Sequence, residues 1–543
     1  MDNQYLWWRD GIIYQIYPRS FADGNGDGIG DLEGIIAHLD YLQDLSVDAI
    51  WLSPIYPSPD VDFGYDVADY LNIDPKFGTL ETFDRLVQEA HARGIRVVLD
   101  LVLNHTSDQH PWFQESRKSR DNPYRDYYIW RDPKPNGAPP NNWGSIFGGE
   151  AWELDPTTGQ MYLHIFYKEQ PDVNWRNPAV RQYMLDVFRF WLNRGVDGFR
   201  LDVFNAYFKH PDLPDNPRIL KPLNLIQGLV SPFFAQEHRY DIDQPEMIPL
   251  LNEVRAILDS YPERYAVGET FIGGAEKAAR YVGNDKLHAA FNFEFLECPW
   301  WAKAFYDSIA KWERVLPADA WPNYVLNNHD RVRSATRYCR GENDERLKVA
   351  ATLLLTLRGT PFMYYGEEIG MRDIKITREQ VQDPMGKRYW PLLKGRDGCR
   401  SPMQWSAAPN AGFSPEGVTT WLPVHPNYRT RNVEAQSANP DSLLNYYKRL
   451  IALRKNSLAL RQGMFTPVTY GMRFILAYLR QAGDETVLVA LNFSERRQNL
   501  VLGHELAGRR WELLLSSKRA SMVPVEGNLI PLEPNEALVL RQI

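Results

Sequence analysis

Gly198–Val203 reads GFRLDV, and this short run decides the fold. Its apolar residues and its length are those of a buried strand, yet Arg200 and Asp202 sit two apart. In an extended chain they therefore point to the same side. Working outward, similar runs recur along the first 460 or so residues. Upstream lie Gly11–Pro18 (GIIYQIYP), Ala49–Ile55 (AIWLSPI) and Arg96–Leu101 (RVVLDL). Downstream lie Tyr265–Thr270 (YAVGET), Ala289–Phe293 (AAFNF), Tyr324–Asp330 (YVLNNHD) and Pro361–Glu367 (PFMYYGE). Between most of them run amphipathic stretches at helical spacing, such as Leu80–Arg93 and Val180–Arg194. Strands alternating with helices in this number predict an α/β protein, a (β/α)8 TIM barrel.

Two regions break the alternation. The stretch from Asn104 to Asp172, rich in Pro, Asn, Gly and Trp, is too long for a structureless loop. It predicts a subdomain inserted after the third strand. From about Thr466, strands such as Phe474–Leu479, Thr486–Asn492, Arg510–Leu515 and Ala537–Leu540 alternate with turn residues, which predicts a C-terminal antiparallel β-sandwich. The expected domains are thus the barrel (1–103 and 173–465), the insert (104–172) and the sandwich (466–543). A chain of 543 residues is too long for one core, in keeping with this division.

A net charge of −8 argues against nucleic acid or an anionic membrane as partner. No run of about 18 apolar residues predicts a membrane span. The N-terminal MDNQYLWWRDG lacks the charged and apolar regions of a signal peptide, and three cysteines make no disulfide framework. A cytoplasmic location is expected.

Asp100, Asp202, Glu269 and Asp330 each fall at or near the C-terminal end of a different expected strand. In a barrel those ends converge on one mouth, where polar residues carry chemistry. Any one of them would ordinarily be surface solvation; four at equivalent strand ends in apolar runs are not. Arg200 beside Asp202 should hold that carboxyl ionised, as a nucleophile requires. Glu269 follows an apolar run with no neighbouring cation in sequence, a setting that favours a proton-carrying acid.

Six segments resemble, in order, the motifs of the α-amylase superfamily of glycoside hydrolases: DLVLNH (Asp100–His105), QPDVN (Gln170–Asn174), GFRLDVFNA (Gly198–Ala206), VGET (Val267–Thr270), NNHD (Asn327–Asp330) and GTPFMYYGEEIG (Gly359–Gly370). The resemblance spans essentially the whole chain. It implies a retaining mechanism with Asp202 as nucleophile, Glu269 as general acid/base and Asp330 on the sugar 2- and 3-hydroxyls. It gives His105 and His329 hydrogen bonds to sugar hydroxyls and makes Arg200 a brace for the nucleophile. Asp100 and Asn104 read as supports.

Within the superfamily the likeness is nearest to oligo-1,6-glucosidases and bacterial α-glucosidases. DFGYDV (Asp62–Val67) and RDGCRSPMQW (Arg396–Trp405) resemble segments that close the glucose pocket there. That implies an Asp62–Arg400 pair around the non-reducing-end hydroxyls, Tyr65 stacked on the glucose ring, and exo action on short α-glucosides. Phe166 is a candidate wall of the same pocket. Val203 after the nucleophile goes with α-1,6 cleavage in such enzymes, so isomaltose-type substrates are expected. The alternatives are an α-1,4-preferring α-glucosidase, or a transglucosylase or isomerase of the sucrose isomerase or trehalose synthase type. A non-catalytic partner subunit on this barrel would lack the carboxylates and carry a span.

DGNGDGIGD (Asp23–Asp31) places oxygens at alternate positions: Asp23, Asn25, Asp27, the Ile29 carbonyl and Asp31. Glycines between them let the loop curl as an EF-hand loop does, although no Glu follows at the twelfth position. Together with the resemblance, this implies a structural Ca²⁺ (or Mg²⁺) and no organic cofactor. The expected partner is a small oligosaccharide, and the assembly a monomer or homodimer.

Overall fold

A computed structural model describes residues 5–543; residues 1–4, the start of the expected barrel domain, lie outside the described residues. Eight parallel strands form one sheet: β1 (Ile13–Ile16), β2 (Ala49–Leu52), β3 (Arg96–Leu101), β7 (Gly198–Leu201), β8 (Tyr265–Glu269), β9 (Ala289–Phe291), β10 (Asn323–Val325) and β11 (Thr360–Tyr364). The order β10-β11-β1-β2-β3-β7-β8-β9 leaves β9 and β10 side by side without a ladder, a nearly closed barrel. Every one of these strands is buried along almost its whole length, hence their continuous apolar runs. Ile13, Trp51, Val98, Val267, Phe291 and Phe362 fill the interior. The outer faces of the strands pack against helices such as Leu80–Ala92, capped by Thr79, and Pro178–Asn193, capped by Asn177.

Every barrel strand except β3 ends earlier than expected, and at two of them this bears on the site. β7 stops at Leu201, because Val203 turns left-handed at φ +36°. β10 stops at Val325, so Asp330 is carried on the loop beyond it rather than on the strand.

The segment between β3 and β7 folds as a small unit around a three-stranded antiparallel sheet of β4 (Trp130–Arg131), β5 (Trp152–Leu154) and β6 (Met161–Leu163), ordered β4-β6-β5. Its base is closed by backbone pairing of His105 with Asp172 and of Tyr128 with Val173.

At the C-terminus, β12 (Met464–Pro467), β13 (Ile475–Ala482), β14 (Glu485–Asn492), β16 (Arg510–Ser516), β17 (Val525–Glu526) and β19 (Ala537–Gln542) make one antiparallel sheet. β15 (Gln498–Val501) and β18 (Leu529–Leu532) form a separate ribbon. The VLVAL run of β14 is apolar at every position because both its faces are covered. Val487, Val489 and Leu491 join the barrel core, while Leu488 and Ala490 face the ribbon's own core with Trp511 and Ile530. The three cysteines are unpaired, and among the described residues no helix is long and apolar enough to cross a membrane.

Candidate active site

A cavity of about 640 Å³ opens at the C-terminal ends of the barrel strands. Asp202, Glu269 and Asp330 line it, together with Asp62, Tyr65, His105, Phe166 and Val203. Arg200, His329 and Arg400 lie beneath this surface, almost fully buried. All the candidate residues for catalysis and sugar binding therefore come to one place.

The parallel register explains how. Asp100 pairs with Arg200 across β3 and β7, and Arg200 pairs with Val267 across β7 and β8. Partners in a parallel ladder point the same way, and so do residues two apart. Arg200 is thus aimed into the same layer as Asp100, Asp202 and Glu269. Its Nη1 donates to Asp100 Oδ1 and to Asp202 Oδ1, both at 2.7 Å, and its Nη2 donates to Glu269 Oε2. Glu269 consequently has a cation after all, contrary to the expectation from its own strand; it arrives from the neighbouring strand.

The Asp202 carboxyl is pushed up to about 6. Burial raises it more than Arg200 lowers it, and Asp100 adds to the rise. The expectation that Arg200 alone would keep this group low is therefore corrected: desolvation wins, although the group stays ionised near neutral pH.

Asp330 is the opposite case. Burial would raise its carboxyl, but His329, where acid protonates it, and the guanidinium groups of Arg396, Arg400 and Arg200 outweigh it and hold the group well below the usual carboxylate range. His329 itself is pushed down to about 3 by burial and so is neutral. Gln15 Nε2 holds its Nδ1 at 2.8 Å, the Tyr65 hydroxyl lies 2.6 Å from its Nε2, and the Tyr65 ring stacks on the imidazole at 5.2 Å. Tyr65 also donates to Asp100 Oδ2 at 3.0 Å. His105 is steadied by the Tyr65 carbonyl at 2.9 Å and by Gln170 Nε2 at 3.2 Å. Beneath it, Asn104 accepts from Lys209, which pairs with Asp172 at 2.6 Å.

The expected Asp62–Arg400 pair is not formed. Arg396, four residues earlier, takes Asp62: its Nη2 donates to Asp62 Oδ1 at 2.5 Å, its Nη1 to Asp330 Oδ1 at 3.3 Å and its Nε to Asp383 Oδ2 at 2.5 Å. Arg400 instead donates to Asp330 Oδ1 at 2.8 Å and to the His329 carbonyl at 2.8 Å. The turn Asp397–Arg400 dictates this assignment. Asp397 accepts from the backbone of Gln382 and Asp383, which pins the turn with Arg396 on the cavity side and Arg400 underneath. Asp62 is presented by a loop folded around Asp66, whose carboxylate accepts from Ser58 Oγ and from the amides of Val61 and Asp62.

Arg396 and the apolar lining residues Ile146, Phe147, Phe234, Phe271, Ile272 and Phe293 were not singled out from sequence. Arg396 opens the quoted RDGCR motif, and that was the one available signal; the hydrophobics look like any others.

In the Asp23–Asp31 loop the carboxylates mainly accept backbone N–H groups. Asp23 takes Gly26 and Gly28 at 2.7 and 2.8 Å, and also the Ser414 hydroxyl at 2.6 Å. Asp27 takes the Ile29 amide at 2.8 Å. Asp31 takes Gly24, Asn25 and, as helix N-cap, Gly34. Among the described residues no three His, Cys, Asp or Glu side chains stand close enough to hold a metal ion. The three carboxylates of the expected set are turned to backbone amides in this arrangement, and no chemistry below passes through a metal.

The chain matches the family model for the alpha amylase catalytic domain over residues 15–463, and that for the maltogenic amylase C-terminal domain over residues 465–537. It is 47% identical over 501 residues to a probable alpha-glucosidase of Rhizobium meliloti, an alignment covering 90% of each chain. It is 42% identical over 552 residues to an oligo-1,6-glucosidase of Parageobacillus thermoglucosidasius, covering 94% of this chain and 95% of that one. Among solved structures, the alpha-glucosyl transfer enzyme XgtA superposes with a TM-score of 0.93 at 41% identity, covering 99% of this chain and 100% of that one.

Proposed function

The chain belongs to the alpha-amylase family of glycoside hydrolases, and on that premise we propose a retaining, exo-acting α-glucosidase that releases glucose from the non-reducing ends of short α-glucosides, with α-1,6 linkages preferred. One observation carries the reading: a single guanidinium, Arg200, holds both Asp202 and Glu269 at a cavity whose wall contains the Asp62–Arg396–Asp330 bridge. Asp202 attacks the anomeric carbon and forms a glucosyl ester while Glu269 protonates the departing oxygen. Water then attacks the ester, Glu269 takes its proton, and Asp202 is released. Asp330, kept ionised, accepts from the 2- and 3-hydroxyls, with His105 as a further partner. The expected sugar contact of His329 is replaced by a supporting one, its ring nitrogens being taken by Gln15 and Tyr65 beneath Asp330. The bridge to Asp62 meets the 4- and 6-hydroxyls and leaves no room for a preceding sugar, hence the exo action.

The linkage preference rests on Val203, an apolar, 4% exposed cavity residue that offers the second sugar shape but no hydrogen bond. The likeness to an enzyme named oligo-1,6-glucosidase supports it. A second reading, glucosyl transfer or isomerisation, draws support from the likeness to XgtA. The setting we propose is cytoplasmic, as a monomer or homodimer.

The test is a product time course on isomaltose, maltose, trehalose, sucrose and longer glucans. Glucose should appear first, as the α-anomer, and fastest from isomaltose. Mid-length oligosaccharides as first products would refute exo action, faster maltose turnover would refute the linkage preference, and a sucrose isomer would favour the second reading.

A further inference from the structure

The leaving group of a glucoside must lie beside the acid that protonates its oxygen. What surrounds Glu269 therefore sets what the cavity accepts beyond the glucose ring. The two residues after Thr270, Phe271 and Ile272, line the cavity with Ile146, Phe147 and Phe234. None of these side chains can donate or accept a hydrogen bond. Phe271 and Val203 belong to one hydrophobic cluster, against which Ile146, Phe147 and Phe234 pack, built jointly by the insert and by the loops after β7 and β8. Apart from Thr270, whose hydroxyl is buried, the polar lining residues Glu294, Glu297, Asn328 and Arg331 come from other segments, those after β9 and β10.

The backbone singles out the same wall. Among the described residues, Val203 and Ile272 are the only β-branched side chains at left-handed φ, +36° and +47°. That conformation is a genuine outlier for a β-branched residue. Each follows a reacting carboxylate: Val203 comes directly after Asp202, and Ile272 three residues after Glu269. Burial does not account for Ile272, which is 38% exposed. Asparagine or glycine would make the same turn without strain. An apolar side chain at the cavity edge is what the strained position retains.

We propose that this wall is a leaving-group site for apolar alcohols, so that the protein cleaves alkyl α-glucosides with a preference that grows with the chain. This rests on the α-glucosidase reading. In the balanced sequence the Asp202 carboxylate forms the bond to C1 as the C1–O bond breaks, and Glu269 gives its proton to the departing alcohol. Water then attacks C1, returns a proton to Glu269 and frees Asp202.

The experiment measures kcat/KM for methyl, propyl, butyl, hexyl and octyl α-glucosides below their micelle concentrations. These alcohols have nearly equal acidity, so the chemical step is matched along the series and the trend reads contact with the wall. Full burial of a methylene corresponds to roughly fourfold per carbon, so a rise of about two- to fourfold per carbon is expected over the first few. Ile272→Asn, which keeps the left-handed turn, and Phe234→Ala, on a different loop, should each flatten the slope when rates are normalised to that variant's own methyl α-glucoside rate. A flat or falling series in the native protein, or an unchanged slope in both variants, overturns the proposal. Absence of turnover for methyl α-glucoside and isomaltose alike would overturn the α-glucosidase reading instead.

Discussion

Arg396→Met is the sharpest test of the closed end of the cavity, because one side chain there serves three carboxylates, Asp62, Asp330 and Asp383. Methionine keeps the apolar stem but removes the guanidinium. Asp330 retains Arg400 at 2.8 Å, so its loss is small. Asp62 keeps only Gln170 Nε2 at 3.4 Å. Stranding a buried carboxylate costs about 3–5 kcal/mol if it stays charged. Burial already raises the Asp62 carboxyl against the pull of Arg396; without that pull it rises further and takes a proton, which trims the cost. A neutral, unanchored Asp62 loses roughly one charge-assisted hydrogen bond to the sugar, about 1.5–3 kcal/mol. That is about 10- to 150-fold in kcat/KM. The sign with pH follows. In the variant Asp62 holds its proton more tightly folded than unfolded, so the stability deficit is full above the raised value and shrinks as pH falls towards the ordinary carboxylate range. The assays are kcat/KM on isomaltose and thermal midpoints at pH 5 and pH 8. Near-native kcat/KM, or a midpoint deficit larger at pH 5 than at pH 8, would refute the clamp.

Three further outcomes are expected. Small-anion rescue should separate the two reactants: Asp202→Ala with azide yields β-glucosyl azide and Glu269→Ala with azide yields the α-anomer, each after a loss of at least about 10²–10⁴-fold without azide; reversed anomers would exchange the roles. The acid limb of kcat/KM should fall near pH 6, since Asp202 must be ionised to attack and burial has pushed it up to about 6, so activity is lost as pH drops through that value; a limb near 4 would contradict the desolvation. We propose that Ca²⁺, or Mg²⁺, stabilises the Asp23–Asp31 loop once its carboxylates release backbone amides: Ca²⁺ added to chelator-treated protein should raise the thermal midpoint, and Asp27→Ala should abolish the response. An unmoved midpoint would leave the loop a hydrogen-bonded turn.

What could be read from the sequence, and what could not, divides along one physical line. β3 has the bounds its period and composition predict, Arg96–Leu101, and Asp202 and Glu269 stand at strand ends because strand patterning is a local property. Arg200 beside Asp202 was visible because the two are partners within one strand. Arg200 beside Glu269 was not, because that contact depends on the register between β7 and β8, which no single strand records. The same limit governs RDGCR. Arg396 and Arg400 are chemically equivalent in the string, and hydrogen bonds from the Gln382 and Asp383 amides to the Asp397 carboxylate set which guanidinium faces Asp62. The Asp202 carboxyl makes the point quantitatively. Its neighbours in sequence argue for a low value, yet burial at the barrel mouth moves it to about 6, and burial is a property of the assembled layers. A charge two residues away was legible, whereas an environment that also draws in Asp100, His105 and Asp330 from other segments was not, which is why the identities of the reacting groups came through and their tuning did not. The left-handed turns at Val203 and Ile272 belong with the tuning, since a β-branched residue is the last that local preference would place there. Where local preference is overridden beside two reacting carboxylates, the override marks a site that sequence pattern alone passes over.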